Sequence, residues 1–491
     1  MTEHRNKIRI TGPTILFAGI TGLICVALLI ISNGNIIAAI VPILTLIALK
    51  LVINLPLQYS ATALFTAMLL FANAGENPHE NMWKGPLTMA GGIVYNNFNK
   101  MTGIGALKFN LVQTATFFFL FLMFLRTLYH NNIDKHLELK SAREMKIAAY
   151  VSFGAVVFST VLGISRGGNT TLIPLQMMNL LFMPLMMIVG MRAYKGEKIY
   201  RLLGKMLIAI CVLRTIEGAW FYFTVLRPSG KIVEYIMTHN DSFTYALGMM
   251  LLVVLAIEKP GVKSIRNLIV FGGIMLWGII INDRRVCFVA IAFCMIMLYF
   301  FLKPILRKRI NTLLIYALPV ILLYVGIGMH SQSQIFAPVH VFTSINDEED
   351  TSNLSRKVEN MNMIYTLDSN TILGTGFGFP YTEVIPSFKL GYEWYQYVGH
   401  NQLLWLAFLM GGLGLFLFFT PLIVIMFLST RVYMAAQTTN QRVVALMAIF
   451  STIIYIVLAF GDMGAMATKG IVLMVVTGSI IANLSKKLKV I

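Results

Sequence analysis

Apolar residues in this chain fall in long continuous blocks rather than in the one-sided stripes of a soluble amphipathic helix. Crossing the hydrocarbon core of a bilayer takes about 20 mostly apolar residues in a helix. On that criterion the blocks predict fourteen spans, at about 14–31, 36–53, 57–73, 108–129, 146–164, 172–191, 206–226, 243–257, 267–281, 286–302, 311–328, 402–428, 443–460 and 469–484. The segment 86–98 is apolar but short and rich in Gly and Asn, and reads as re-entrant or interfacial. The first block is longer than the roughly 7–15 residues of a signal-peptide core, and further spans follow at once, so it reads as a retained helix.

Composition agrees with this pattern. Of 491 residues, 57% are hydrophobic and 12% charged, with mean hydropathy +0.75. A soluble domain has about 45–50% and 25%. The expected fold is therefore all-α, a polytopic single membrane domain over 1–491. All four cysteines, Cys25, Cys211, Cys287 and Cys294, lie inside apolar blocks without a CxxC pair, so neither a disulfide framework nor a zinc site is expected.

The net charge of +18 tests the topology. With the N-terminus inside, the inner loops carry 26 basic and 6 acidic residues, or +20; the outer loops carry 12 and 14, or −2. Segments 126–146, 192–205 and 303–309 supply much of the inner charge. The positive-inside rule then places both termini in the cytoplasm. The charge reports orientation and gives no reason to expect nucleic acid.

Two outer loops are long, 74–107 and above all 329–401. Tyr365, Phe377, Phe379, Tyr381, Phe388, Tyr392, Trp394, Tyr395 and Tyr397 make the second too aromatic for disorder. It reads as a partly helical cap on the membrane surface. Its rings either anchor and pack or stack on sugar faces.

That loop ends in His400-Asn401-Gln402-Leu403-Leu404, with Gly411, Gly412 and Gly414 about three turns further along. Histidine ordinarily changes charge between about pH 5 and 8, which suits proton transfer; at an interface it also serves as a polar anchor. The glycines would allow close helix approach and so fix the histidine. Arginine is scarce on the outer side, which makes Arg166, Arg284, Arg285 and Arg356 distinctive. A guanidinium fork recognises phosphate, while headgroup contact or pairing with neighbours such as Asp283 is the plainer reading. Arg214 and Glu217 lie one turn apart inside a span, where charges are costly and either paired or functional. Asp347-Glu348-Glu349-Asp350 reads as a solvated acidic turn, and His79, His239, His330 and His340 lack ligand spacing. There is no GxxxxGK[ST] or HExxH motif and no credible GxSxG elbow, and the Gly374-Thr375-Gly376-Phe377-Gly378 run is expected outside the membrane, which disfavours ATP-driven transport.

Taken together, these motifs resemble those of the O-antigen ligase/polymerase superfamily of bacterial envelope glycan enzymes. His400-Asn401 with Leu403, Leu404 and Gly411 looks like the family's His-Asn helix motif. Arg356 followed by Asn370-Thr371-Ile372-Leu373-Gly374-Thr375-Gly376 is similar to its Arg, Pro-Leu-Leu-Gly-like turn and Gly-x-Gly; Asn370-Thr371 stands where a Pro is common. Asp283-Arg284-Arg285 resembles its Ser-Arg-small motif, with Arg285 the better-aligned arginine. The likeness covers about 265–460 and implies a multispan (GT-C type) glycosyltransferase without cofactor or metal, in the bacterial inner membrane. It would move a glycan from undecaprenyl diphosphate to an acceptor sugar hydroxyl on the outer face, the acceptor being a lipid-linked repeat (polymerase) or the lipid A core (ligase). His400 would be catalytic, Arg285, Arg356, Arg284 and Arg166 would hold the diphosphate, and Asn401 and Gly411 would position. The lipid bilayer surrounds it, and a chain-length regulator or flippase is a possible partner. Polymerisation is the favoured branch. The rival class is a lipid-linked oligosaccharide flippase, which should carry charges on several helices around a central cavity; the sequence puts only Arg214 and Glu217 deep.

Overall fold

A computed structural model describes residues 12–31, 55–71, 85–95, 111–129, 142–229, 236–238, 240–282, 284–302, 304–331, 351–386, 396–461 and 464–490, with isolated positions between 36 and 47 and between 333 and 339. These residues form helices and connecting turns, with no strand among them. The helices are α1 (Gly12–Ile31), α2 (Leu57–Leu70), α3 (Pro86–Tyr95), α4 (Leu111–Tyr129), α5 (Arg143–Ser165), α6 (Leu172–Ala193), α7 (Glu197–Phe221), α8 (Asp241–Glu258), α9 (Val262–Asn282), α10 (Arg285–Phe301), α11 (Pro304–Gly328), α12 (Thr351–Asp368), α13 (Gln402–Phe418), α14 (Thr420–Ala435), α15 (Thr439–Gly461) and α16 (Thr468–Lys487).

Every apolar block expected to span coincides with a helix, except 36–53, most of which lies outside the described residues. Among the described residues, seven stretches are long and apolar enough to cross a membrane: α5, α6, α8, α9, the α13–α14 path, α15 and α16. This is the make-up of a helical membrane protein. The block 402–428 is longer than one crossing needs, and the structure divides it at Phe419 into α13 and α14.

α6, α8, α15 and α16 pack at the centre of the bundle. Contacts sort the helix termini into two groups. At one end the start of α6 meets the segment before α13 (Gln176 Nε2 to Tyr397 O, 3.2 Å), and the end of α9 meets the start of α8 (Asn282 Nδ2 to Ser242 Oγ, 3.4 Å). The start of α13 meets the segment before α16 there too, where Met466 N donates to Gln402 Oε1 at 2.9 Å. At the other end Glu258, ending α8, takes Arg442 of α15 at 2.6 Å and the Tyr433 hydroxyl of α14 at 3.2 Å. All the site residues considered below belong to the first end.

Candidate functional site

The site begins with a broken helix. Gly411 sits inside α13 at φ 69°, ψ 173°, a backbone region open essentially to glycine alone. An intact helix would bond the N–H of Gly412 to Phe408 O and that of Leu413 to Leu409 O. The chain segment 371–376 inserts there instead and supplies all four partners. Thr375 N donates to Phe408 O (2.8 Å) and Gly376 N to Leu409 O (2.9 Å), while Gly412 N and Leu413 N donate to Thr371 O (2.7 Å) and Ile372 O (3.2 Å). A Cβ on Gly411 would strike the Ile372 carbonyl, and one on Gly374 would strike the Gly411 amide. Gly411 therefore serves a break filled by a loop, while Gly414 faces Ser159 of α5.

The Gly-rich run is likewise not outside the bundle. Phe408 lies about 9 Å along α13 from its start, and Phe377 N donates to Ser159 O, well inside α5 (3.1 Å). Backbone that leaves a helix at such depth needs internal partners, because lipid offers none.

Upstream, α12 presents Arg356, Glu359 and Met363 at helical spacing. Gly399 lets the chain pass this face, since a Cβ there would stand 2.6 Å from Met363 Sδ. His400 follows at once. Its Nδ1 lies 2.9 Å from Glu359 Oε2, which also accepts the His400 backbone N–H at 3.1 Å. The imidazole is 22% exposed, while the Glu359 side chain is 3% exposed. Glu359 Oε1 is buried with no hydrogen-bond partner among the described residues. A carboxylate at Nδ1 sets the ring plane and favours the tautomer that is basic at Nε2.

Asn401 caps α13, its side chain accepting the Leu404 N–H at 3.2 Å. It therefore fixes the helix start directly behind His400. Arg356, one turn along α12 from Glu359, donates to Gly461 O at 3.4 Å. Gly461 also abuts the first turn of α10, with Val286 Cγ2 2.6 Å from where its Cβ would be. Thus Arg356 and the α10 terminus bearing half-buried Arg284 and exposed Arg285 meet at one residue. Arg166 stands elsewhere, its Nη1 on Gly374 O at 2.6 Å.

A second charged group is built at the same end. Arg214 grips Asp241 with two nitrogens (Nε to Oδ1 3.1 Å, Nη2 to Oδ2 2.7 Å) and also bonds Glu217. Lys469 Nζ reaches Asp241 Oδ1 at 2.6 Å, and Thr238 donates its hydroxyl to Oδ2 at 2.9 Å. Glu217 Oε1 accepts the Thr88 N–H at 2.9 Å, docking the start of α3. The four charged side chains are at most 3% exposed. Asp241 lies just before the predicted span 243–257 and Lys469 at the first position of 469–484, so the buried charge is larger than Arg214 and Glu217 alone.

Glu359 gave no local signal. Its partner lies 41 residues away, and only the helical spacing from Arg356 hinted at a shared face. In the large loop, Phe377 and Tyr381 are buried and Tyr365 is exposed. Phe388, Tyr392, Trp394, Tyr395, the acidic run 347–350, Asp283, His79, His239 and His340 lie outside the described residues. Among the described residues no group of three His, Cys, Asp or Glu is placed to hold a metal ion. The sequence matches no protein-family model, and no curated protein is detectably similar to it in sequence.

Proposed function

We propose that this chain is a glycosyltransferase of a bacterial inner membrane, with fourteen spans and both termini cytoplasmic. It hands a glycan from an undecaprenyl diphosphate carrier to an acceptor sugar hydroxyl on the outer face, and polymerises repeat units. The observation that carries this reading is the His400–Glu359 pair, partly open to solvent, with Arg356 one turn away on the same helix. Glu359 holds Nδ1, so Nε2 would orient and deprotonate the acceptor hydroxyl. Arg356, Arg285 and Arg284 would take up the charge that develops on the leaving diphosphate. Keeping donor and acceptor together at one bundle end supplies the proximity term.

The test is purified protein mixed with lipid-linked oligosaccharide in detergent. Chain growth or transfer is expected, and His400→Ala should lower it by about 10²–10⁴-fold with little change in thermal stability. Wild-type turnover by that variant removes His400 from the chemistry. In cells, loss of the gene should leave single repeat units on the acceptor core; full-length chains stranded on the carrier would mark a ligase.

The flippase reading gains one observation, since the buried charges now join α7, α8 and α16. Those charges are turned on one another rather than toward a path. Activity in detergent decides between the two, because a flippase then has nothing to flip across.

A further inference from the structure

Five hydrogen bonds tie the α5–α6 hairpin to the segment that ends in His400, one of them Phe377 N to Ser159 O. Arg166 Nη1 donates to Gly374 O at 2.6 Å, and Asn169 N donates to Gly378 O at 2.9 Å. Gln176, 1% exposed, accepts the Gly378 N–H with Oε1 at 2.8 Å and donates to Tyr397 O at 3.2 Å. Gly163 and Gly168 leave room for the Phe377 backbone, which a Cβ at either position would strike. Gln176 therefore holds together residues 378 and 397, the second only three positions before His400. Tyr397 O also accepts Trp405 Nε1 at 2.7 Å, tying the same point to the fully buried ring of α13.

From this we infer that Arg166 is a positioning residue rather than a diphosphate ligand: it clamps the segment 371–378 into the break of α13 and so sets where His400 stands. The carbonyl it holds belongs to Gly374, at φ 75° and wedged against the Gly411 amide. A cationic donor on that carbonyl is charge-assisted and stronger than a neutral one. Gln176 completes the clamp from the α6 side. The inference rests on reading His400 as the acid–base residue, but its first test does not.

Arg166→Met and Gln176→Met should each speed proteinase nicking within 371–386 by about tenfold to a hundredfold, the effect of losing one charge-assisted or buried hydrogen bond. Arg166→Met should lower kcat while leaving KM for the lipid-linked donor, and the Kd for undecaprenyl diphosphate in detergent, within about twofold of wild type. Arg166→Lys, whose Nζ can reach the same carbonyl, should restore most of the resistance to nicking. The inference is overturned if Arg166→Met is nicked at the wild-type rate, whatever its activity. It is equally overturned if undecaprenyl diphosphate binds that variant about tenfold more weakly while nicking is unchanged. If wild-type protein neither transfers glycan nor binds the carrier, the glycosyltransferase reading falls, and the nicking rates still judge the clamp.

Discussion

Two groups at one end of the bundle each pair a carboxylate with a base, and they are built to opposite rules. Around Arg214 each carboxylate oxygen of Asp241 and Glu217 has at least one donor, and the charged side chains are at most 3% exposed. Around His400, one oxygen of Glu359 takes both the ring nitrogen and the backbone N–H, the other has no hydrogen-bond partner among the described residues, and the imidazole is partly exposed. Saturation in a low-dielectric interior stabilises a single arrangement and leaves nothing for a substrate. A pair whose imidazole is partly exposed offers a ring that a reacting hydroxyl could approach. Of the two, the more exposed is the better place to look for chemistry.

The sharpest way to break this contrast is at Asp241. Asp241→Asn leaves Arg214 and Lys469 facing only Glu217, a net buried positive charge. Removing one partner of a buried ion pair costs about 3–5 kcal/mol. The variant should melt far below wild type in detergent, or be lost during purification. Adding Lys469→Gln removes the surplus charge and should recover part of the loss, a coupling that a double-mutant cycle measures. If Asp241→Asn melts like wild type, the saturated group is not a structural lock, and the flippase reading regains ground.

What the sequence shows of this design follows from distance along the chain. Apolar runs mark the helices because lipid imposes a length and a composition on each one locally. His400-Asn401 was visible because the cap and the residue it carries are adjacent. Gly411 is visible as a glycine, but the helix break it makes is not. A glycine in an apolar run looks the same whether it admits a helix neighbour or a helix break, and its filler, Thr371 to Gly376, comes some 40 residues earlier. Asp241 and Lys469 stand at the edges of their apolar blocks, and the groups they meet lie 27 and 228 residues away, so no local pattern pairs them. Arg166 meets Gly374 across 208 residues, a pairing that no local pattern encodes.

Glu359 gives the next largest effect, on rate rather than stability. Its backbone bond to His400 and its ring bond share one oxygen, so the amide oxygen of a glutamine can serve both. Glu359→Gln should therefore keep the ring in place and remove only the negative charge behind the developing imidazolium. We expect kcat to fall about tenfold, part of the 10²–10⁴ that acid–base catalysis supplies, with KM and thermal stability close to wild type. A fall in stability matching Asp241→Asn would show that the two groups do not differ in kind.

Asn401 should give the smallest effect. As N-cap of α13 its side chain satisfies one of four amides left open at a helix start. Asn401→Ala should cost about 1 kcal/mol of stability. His400 is held independently by Glu359 through its backbone and its ring, so losing the cap frays the turn behind the histidine without releasing the ring. Turnover should then fall only a few-fold, and Asn401→Asp, which restores an acceptor at the helix N-terminus, should recover it. A loss as large as that of His400→Ala, not recovered by Asn401→Asp, would mean that the Asn401 amide contacts the substrate. The open, reactive side of this bundle end would then extend past the histidine onto α13 itself.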